Sequence, residues 1–413
     1  GRPGPVLIDI AKNAQFGELD FEYKRCIKIR SYVPKPVVKP EKVRQAAELI
    51  NKASKPYILF GQGVILGNAE DEFRAFVEKS GIPAAWTILG ACALPKKHPL
   101  NMGMLGMHGN YSTNIKTNEC DLIIAVGMRF DDRVTGDLKR YAPQAKVIHL
   151  EIDPAEINKN VKADIALLGD VKETLPMLTR LIEKRDHSAW IKEFKDADRI
   201  EFEKVIKHDL YPEKEGLTMG EVIRILNEKT GGDVIVVTDV GQHQMITSRY
   251  FEFRNKRSFV TSGGLGTMGF GLPAAHGAKI GAPDKEVVLI VGDGGLQMTI
   301  QELGTINQTQ AAVKIILMNN KYLGMVRQWQ EMFFEKRYSE TYLLNPDFIK
   351  VAEGFGIKGK KVLHRPELDA AIQEMLDHKG PYFLEINIEK EDNVLPMVPA
   401  GASVSEVVLE HKK

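Results

Sequence analysis

The sequence predicts an α/β protein with two Rossmann-like domains, each a parallel sheet flanked by helices. Three observations support this prediction. Short continuous apolar runs, typical of strands buried on both faces, alternate with amphipathic segments of helical spacing. Glycine-bearing loops follow several of these runs, as loops do at the carboxyl edge of a parallel sheet. The 413 residues are also too many for one typical domain.

Composition and charge exclude some classes of function. A hydrophobic content of 43% and a charged content of 27% are those of an ordinary globular protein. The net charge of +1 gives no indication of a nucleic-acid or membrane partner. No apolar run approaches the roughly 20 residues of a membrane span, and no signal peptide is visible, so we expect a cytoplasmic protein. The cysteines lack metal or redox spacing, which predicts buried thiols.

Residues 1–40 are predicted to be an N-terminal segment and linker. The apolar run from Val6 to Ile10 predicts a strand. The prolines that follow it predict an extended chain over a domain surface. The segment opens with GRPGP and no initiator Met, which is typical of a chain that begins inside a longer protein.

A middle α/β domain is predicted over residues 41–180. Helices are expected at 41–51 and 70–80, with the second helix capped by Gly81. Strands are expected at 57–60, 82–87, 122–126, 146–152 and 164–168. The Gly-bearing loops at these strand ends favour a large nucleotide, although the GxGxxG dinucleotide fingerprint is absent. The loop at 129–133 mixes two arginines with two carboxylates, and is either a surface ion-pair cluster or a phosphate-binding group.

The second half of the chain is predicted to be another α/β domain. The charged residues 181–215 predict a solvated helical connector, and residues 216–390 predict the domain itself. Its first helix begins at Thr218 with a capping box. Loops at 240–243, 264–269 and 292–295 are expected to converge at one sheet edge. Residues 391–413 predict a C-terminal tail that folds over the protein.

The most informative stretch is residues 286–320, which predicts a strand, a glycine turn, one helix and a second strand. Because parallel strands end at the same edge, Asp293 and Asn320 are expected to lie close together. Glycines admit a phosphate to the backbone, and the following helix favours an anion. A carboxylate and an amide oxygen suit Mg²⁺. The stretch therefore predicts a Mg²⁺–diphosphate site, although the glycine motif alone fits an ordinary strand–helix–strand unit equally well.

Several residues near this motif allow two interpretations. His243 is either a hydrogen-bond donor to phosphate or a structural histidine. Met268, in a Gly-rich loop, is either a wedge under a bent cofactor or a core residue. The helix after Asn320 carries an apolar stripe, namely Met325, Val326, Trp329 and Phe333. That stripe predicts either core packing or the wall of a substrate channel.

Together these motifs resemble the catalytic subunit of the acetolactate synthase (acetohydroxyacid synthase) family. The matching segments are GRPGPV, GMLGMHG, RFDDRVTG, TSGGLGTMGFGLPAAHGA, GDGGLQMT and MNNKYLGMVRQWQ. The resemblance covers essentially the whole chain. It implies a middle FAD-binding domain and a C-terminal domain that holds the diphosphate of thiamine diphosphate (ThDP) together with Mg²⁺.

The resemblance also implies individual site residues. The metal ligands are Asp293, Asn320 and the backbone carbonyl of Tyr322, while Met268 holds ThDP bent and Trp329 favours a larger second substrate. Further ThDP contacts are implied at Gly241, Gln242, His243, Gly266, Gly292, Gly294, Gly295, Gly324 and Met325. FAD contacts are implied at Arg2, Gly61, Gln62, Gly63, Thr87, Gly106, Met107, His108, Gly127, Arg129, Asp131, Arg133, Glu151, Gly169 and Asp170. The substrate channel is implied at Lys12, Met107, Asp132, Val326, Trp329 and Phe333.

The implied reaction is decarboxylation of pyruvate on ThDP and carboligation to a second 2-keto acid. Pyruvate as the second substrate gives 2-acetolactate and 2-ketobutyrate gives 2-aceto-2-hydroxybutyrate, in the biosynthesis of valine, leucine and isoleucine. A homodimer or tetramer and a regulatory small subunit are also implied. The family's N-terminal domain, which supplies an activating glutamate, matches no part of these residues, so we expect the chain alone to be inactive. The alternatives are another FAD- and ThDP-dependent enzyme, such as pyruvate oxidase or glyoxylate carboligase, and a non-catalytic nucleotide-binding module.

Overall fold

The computed structural model describes residues 1–2, 4–27, 29 and 32–410. Two six-stranded sheets, with every strand pair parallel, confirm the predicted α/β class with two Rossmann-like domains. The predicted terminal segments 1–40 and 391–413 are partly outside the description, because they include residues 3, 28, 30–31 and 411–413. The predicted domain boundaries stay predictions.

The first sheet belongs to the middle domain. Its strands are β1 (Pro56–Phe60), β2 (Ala84–Trp86), β3 (Asn101–Met104), β4 (Leu122–Val126), β5 (Lys146–Glu151) and β6 (Ile165–Leu168). The order across the sheet is β3-β2-β1-β4-β5-β6, so the strand order reverses between β1 and β4. Helices in this half are α1 (Lys12–Gln15), α2 (Pro40–Lys52), α3 (Gln62–Leu66), α4 (Glu70–Ser80), α5 (Tyr111–Thr117), α6 (Asp132–Thr135) and α7 (Val171–Leu181).

The second sheet belongs to the C-terminal domain. Its strands are β7 (Ile235–Thr238), β8 (Phe259–Thr261), β9 (Val287–Gly292), β10 (Val313–Asn319), β11 (Lys358–Val362) and β12 (Tyr382–Asn387), in the order β11-β12-β10-β9-β7-β8. The remaining helices are α8 (Ser188–Glu201), α9 (Lys207–Leu210), α10 (Met219–Thr230), α11 (Gln242–Tyr250), α12 (Gly271–Gly281), α13 (Asp293–Met298), α14 (Glu302–Thr309), α15 (Gly324–Phe333), α16 (Phe348–Gly354) and α17 (Arg365–Asp377).

Local sequence signals explain several of these boundaries. Strand β1 is buried on both faces, since Ile58 and Phe60 join one hydrophobic cluster and Tyr57 and Leu59 join another. Helix α4 ends at Gly81, whose φ of +68° lies in the left-handed region that glycine adopts without strain. Helix α10 begins with the predicted capping box at Thr218.

Two predicted elements are wrong. Val6 to Ile10 is not a strand, and Val6 and Leu7 are 85% and 93% exposed. Within the described residues this segment pairs with no other strand, and an apolar run without a partner does not make a strand. The single helix predicted after Gly292 is two helices, α13 and α14. The Thr299 hydroxyl, which lies between them, donates to the Gly269 carbonyl at 2.9 Å.

The connector at 181–215 is helical as predicted but is not simply solvated. Helix α8 continues through a π-helical turn, Phe202–Ile206, into α9. Its Trp190 and Phe194 are buried against the middle domain, and Trp190 Nε1 donates to the Pro56 carbonyl at 3.0 Å. The prediction of buried thiols is right for Cys92 and Cys120 and wrong for the exposed Cys26.

A buried ion pair joins the two domains. Glu201, at the end of α8, pairs with Arg249 of α11, and both side chains are at most 1% exposed. The second terminal nitrogen of Arg249, Nη1, donates to the His108 carbonyl in the middle domain at 3.1 Å. The Glu201 carboxylate also accepts from Asn110 Nδ2 at 3.0 Å and from Tyr111 N at 2.6 Å. One carboxylate thus connects the middle-domain loop at 108–111 to the C-terminal domain.

The C-terminal tail is predicted to fold over the protein. In the structure it lies across the middle domain. Gly136 and Ser403 form an antiparallel bridge, and Asp137 N donates to the Ala402 carbonyl at 3.0 Å. Val398 N donates to the Met107 carbonyl at 2.8 Å. Among the described residues, no helix has the length and apolar character needed to cross a membrane.

Replacing Arg249 with Met should destabilise the protein strongly, because Glu201 would remain buried without its cation. We expect the free energy of unfolding, measured by urea denaturation, to fall by about 3–5 kcal/mol. The control is Lys256→Met, which removes an exposed ion pair to Asp71 and should cost less than about 1 kcal/mol. Equal losses in the two variants would contradict a special role for the buried pair.

Candidate cofactor site

The carboxyl ends of β9 and β10 meet at one edge of the second sheet, as the sequence predicts. The two strands pair in parallel with Gly292 opposite Met318. Asp293 and Asn320, which follow the strand ends closely, are buried. Strand β7 pairs on the other side of β9 and delivers the loop that begins at Asp239.

A cavity of about 40 Å³ lies at this edge. Eleven of the residues predicted for ThDP and the metal line it: Gly241, Gln242, His243, Met268, Gly292, Asp293, Gly294, Gly295, Asn320, Tyr322 and Gly324. Gly266 and Met325 are not in this lining. Gly266 lies in an exposed part of its loop, and Met325 packs against the hydrophobic core.

Two glycines are required by close approach to His243. A Cβ on Gly241 would lie 2.9 Å from His243 Cε1, and one on Gly292 would lie 3.0 Å from His243 Nδ1. Gly241 also has a φ of +154°, which side-chain-bearing residues rarely adopt. The His243 imidazole therefore packs directly against the backbones of Gly241 and Gly292, at the carboxyl ends of β7 and β9.

His243 presents an unpartnered polar atom to the site. Its Nε2 is buried and has no hydrogen-bond partner among the described residues. Burial lowers the pKa of His243 to about 4, so the ring is neutral at physiological pH. A buried nitrogen without a partner is costly unless a ligand satisfies it. A phosphate oxygen would do so.

The donor set suits a magnesium diphosphate. Burial raises the pKa of Asp293 to about 6, and a bound cation would favour its ionised form. Asn320 Oδ1 accepts from Tyr322 N at 3.0 Å and keeps a second lone pair. The described residues contain no cluster of three or more His, Cys, Asp or Glu side chains, so these few oxygens need a ligand to complete a coordination shell. Mg²⁺ is commonly completed in this way by substrate or cofactor phosphates. The residues fit the group.

Asp239 is a structural acid of the site that the sequence reasoning did not assign. It is fully buried, and its carboxylate accepts from the backbone N–H groups of Val240 at 2.8 Å, Gly269 at 3.2 Å and Gly271 at 2.7 Å. It thus holds the loop at 264–271 beside the loop after β7. An acid directly after a buried strand was the available signal.

The apolar stripe of α15 does not face the core throughout. Val326 and Phe333 are 49% and 39% exposed, so core packing is the wrong interpretation for these two residues. Trp329 is half-buried and contacts the Phe333 ring at a centroid distance of 5.1 Å. The buried side of the helix is polar instead. Its Gln328 accepts from Gln242 Nε2 at 3.0 Å and donates to the Val394 carbonyl at 3.0 Å.

Residues predicted for FAD gather at the carboxyl edge of the first sheet. Gly61, Gln62 and Gly63 follow β1, Gly127 follows β4 and Thr87 follows β2. The Gly63 N–H donates to the Gly127 carbonyl at 2.9 Å, so the two glycine loops are in direct contact at the point where the strand order reverses. Ligands bind at such reversal points in open α/β sheets.

The ends of β5 and β6 complete this edge. Glu151 is buried, which raises its pKa, and its Oε1 accepts from Ile152 N and Asp153 N at 2.9 and 3.1 Å. Arg2 is ion-paired with Asp153 at 2.7 Å. Gly169 precedes Asp170, which caps α7 by accepting from Lys172 N.

A second cavity, of about 220 Å³, lies between the middle domain and the tail. Predicted FAD and channel residues meet there, since Gly106, Met107, Asp132 and Arg133 line it together with Val398 to Gly401. His108, the next residue after Met107, is buried, which lowers its pKa to about 4.

Several channel and FAD predictions do not fall in the lining of this cavity. Arg129 and Asp131 form a weak, half-exposed ion pair at 3.9 Å outside it. Lys12 is exposed on α1 and lies in the lining of neither cavity. Met107 and Asp132 therefore line the same cavity, and Lys12 does not.

Two family models match the chain. The model described as "Thiamine pyrophosphate enzyme, central domain" matches residues 43–178, and "Thiamine pyrophosphate enzyme, C-terminal TPP binding domain" matches residues 239–386. The second match spans the strand ends and glycine loops that line the smaller cavity.

Similar proteins narrow the family further. The chain is 42% identical over 410 residues to the acetolactate synthase isozyme 2 large subunit of Escherichia coli, covering 99% of this chain and 72% of the relative. The chain belongs to the acetolactate synthase large-subunit family. A probable acetolactate synthase large subunit of Methanocaldococcus jannaschii is 42% identical, with 99% of this chain and 70% of the relative covered. Acetolactate synthase 1, chloroplastic, of Nicotiana tabacum is 40% identical, with 99% of this chain and 63% of the relative covered.

Replacing Gly295 with Ala tests the packing beneath the site in the absence of cofactor. The new Cβ would lie 2.4 Å from Asp239 Oδ1, which backbone N–H groups hold in place. We expect the free energy of unfolding to fall by about 1–3 kcal/mol, as buried donors lose their acceptor.

The control is Gly277→Ala in α12, where the Cβ meets nothing within 4 Å. It should stabilise the protein by about 0.5–1 kcal/mol, because alanine is the better helix former. Urea denaturation measures both variants. A stable Gly295→Ala variant would show that the Asp239 network is not needed for the fold.

Proposed function

We propose that the chain is the part of an acetolactate synthase large subunit that holds ThDP and Mg²⁺ in its C-terminal domain and FAD in its middle domain. The observation that supports it best is the single cavity in which Asp293 and Asn320 lie beside the glycines of β9 and the unpartnered nitrogen of His243. The names of the relatives favour this activity over pyruvate oxidase, glyoxylate carboligase or a non-catalytic module.

The residues have separate tasks in this proposal. Asp293, Asn320 and the Tyr322 carbonyl hold Mg²⁺, while the Gly292–Gly295 backbone and His243 hold the diphosphate. Met268, half-buried next to Gly294, supports the bent form of the cofactor. When bound, ThDP supplies an electron sink for the decarboxylation of a 2-keto acid.

The proposed reaction removes the carboxylate of pyruvate as CO₂ and joins the remaining two-carbon unit to the carbonyl carbon of a second 2-keto acid. Pyruvate itself gives 2-acetolactate and 2-ketobutyrate gives 2-aceto-2-hydroxybutyrate, as in the synthesis of branched-chain amino acids. Trp329, half-exposed on α15, is proposed to favour the larger acceptor, with Val326 and Phe333 beside it on the channel wall.

FAD is proposed to lie along the carboxyl edge of the first sheet. There, the loops of Gly61–Gly63 and Gly127 are in contact at the point of strand reversal, where ligands bind in open α/β sheets. A homodimer or tetramer, a regulatory small subunit and a cytoplasmic location are the remaining proposals. They are supported by the family resemblance alone.

Replacing Asp293 with Asn tests the metal site directly. The variant keeps the shape of the side chain but removes its charge, so Mg²⁺-dependent binding of ThDP should weaken by about 100-fold or more, since even an outer partner of a metal ligand is worth about 10–100-fold. Calorimetric titration of ThDP with and without Mg²⁺ measures the change.

The matched control is Asp284→Asn, an exposed acid on the loop before the same strand. It should leave the affinity unchanged. Binding of ThDP by the Asp293→Asn variant with the wild-type affinity and the wild-type Mg²⁺ dependence would contradict the proposed ligand.

The 413-residue chain alone should form no detectable acetolactate. Among the described residues that line the cavity, Asp293 is the single carboxylate, and it is assigned to the metal. A separate carboxylate is therefore needed to activate the cofactor. The measurement incubates the purified chain with pyruvate, ThDP, Mg²⁺ and FAD and quantifies 2-acetolactate. Product above the protein-free background would refute this expectation.

A further inference from the structure

We propose that Asn345 is a positioning residue for the metal ligands, and that the clasp, residues 341–345, holds the metal loop in its binding geometry. This inference rests on the proposed Mg²⁺–ThDP site, and the clasp lies outside the residues that line that site. The clasp lies in the loop between α15 and α16 and folds back onto the residues that follow β10.

The Asn345 side chain connects the two strand ends. Its Nδ2 donates to Asp293 Oδ2 at 2.7 Å and to Asn319 Oδ1 at 3.0 Å. Its Oδ1 accepts from Gln297 Nε2 at 3.0 Å. All three contacts fix one orientation of the amide, because a flipped amide would place its oxygen against two acceptor oxygens. Asn345 thus holds one oxygen of the Asp293 carboxylate in a fixed position.

The backbone of the clasp fixes a second proposed metal ligand, the Tyr322 carbonyl. Leu323 N donates to the Thr341 carbonyl at 2.8 Å, and Leu343 N donates to the Lys321 carbonyl at 2.9 Å. These bonds flank Tyr322, the residue proposed to bind the metal through its backbone carbonyl. A short antiparallel bridge therefore sets the direction of that peptide.

Side chains on both sides reinforce this bridge. The rings of Tyr322 and Tyr342 meet at a centroid distance of 5.5 Å, nearly edge to face. The guanidinium of the buried Arg327 lies 4.6 Å from the Tyr322 ring. The Tyr322 side chain is thus held by the clasp and by α15 together.

The hydrogen-bond chain continues to the neighbouring strand β12. Asn319 Nδ2 donates to Glu385 Oε1 at 2.8 Å, and Lys361 Nζ donates to the same oxygen at 2.8 Å. Glu385 lies on β12 and is 1% exposed, so it is a rigid anchor. Asn345 therefore links Asn319, which Glu385 holds in place, to the Asp293 carboxylate. Such outer partners orient metal ligands and are commonly worth about 10–100-fold in metal affinity.

The test replaces Asn345 with Leu, which has a similar volume and cannot donate. The control is Gln330→Met in the full chain. Gln330 binds Ser339 N and the Ser339 carbonyl at the other end of the same loop, at 3.1 and 3.0 Å, and has no contact with Asp293. Calorimetry measures the Kd of Mg²⁺ at saturating ThDP. Electron paramagnetic resonance of bound Mn²⁺ reports the symmetry of its ligand shell, which a merely looser loop would not alter.

We expect Asn345→Leu to raise the Kd of Mg²⁺ by about 10–100-fold and to change the Mn²⁺ spectrum. Gln330→Met should change neither. If Asn345→Leu binds Mg²⁺ as the wild type does, or if both variants weaken it equally, the positioning role is wrong and the proposed cofactor site stands. If the wild-type chain itself shows no Mg²⁺-dependent ThDP binding, the proposed site is wrong and the positioning role falls with it.

Discussion

The parallel pairing of β9 with β10 is the constraint on which the candidate site depends. The register that sets Gly292 opposite Met318 also sets Asp293 beside Asn320, 27 positions apart in the sequence. Both strands are buried on both faces, so a one-residue slip would exchange the side chains of two packed layers, and the close packing of those layers fixes the register. The position of the candidate site therefore depends on core packing. The hydrogen bonds that pair β9 with β10 also bring the Asp293 carboxylate and the Asn320 amide together.

The relation between the domains rests on a different kind of interaction. The Glu201–Arg249 pair lies in a dry environment, where its geometry must be satisfied completely to repay desolvation. Both groups also bind backbone or amide partners of the loop at 108–111, and Arg249 Nε is the one nitrogen of this guanidinium that has no hydrogen-bond partner among the described residues. Arg249 belongs to the helix that begins at Gln242 and His243. The proposed diphosphate contacts and the loop proposed to face FAD are therefore parts of one rigid connection.

Most of the fold and the meeting of Asp293 with Asn320 at one sheet edge follow from the sequence, because their signals are local. Most individual cofactor contacts are implied by the family resemblance and stay proposals. The apolar runs of β4 and β9, the capping box at Thr218 and the glycine turn after Val291 each carry their meaning within a few residues. Asn345 and Glu201 carried no such signal, because their partners are 52 and 48 residues away and meet them only in three dimensions. The strand predicted at Val6 was wrong because a local signal alone does not make a strand. Its apolar run is a local signal, but a strand needs a partner elsewhere.

The position of the tail has a consequence for how the protein is made. Asn118 Nδ2 bonds to the Ser403 hydroxyl across 285 positions, and the loops at Met107 and Asp137 take their backbone partners from the same tail. On the ribosome these partners are synthesised after every strand of the second sheet. Part of the surface of the middle domain is therefore completed only once the C-terminal domain has been made. Contacts of such sequence separation form slowly, so the final closure of this domain belongs to the end of folding.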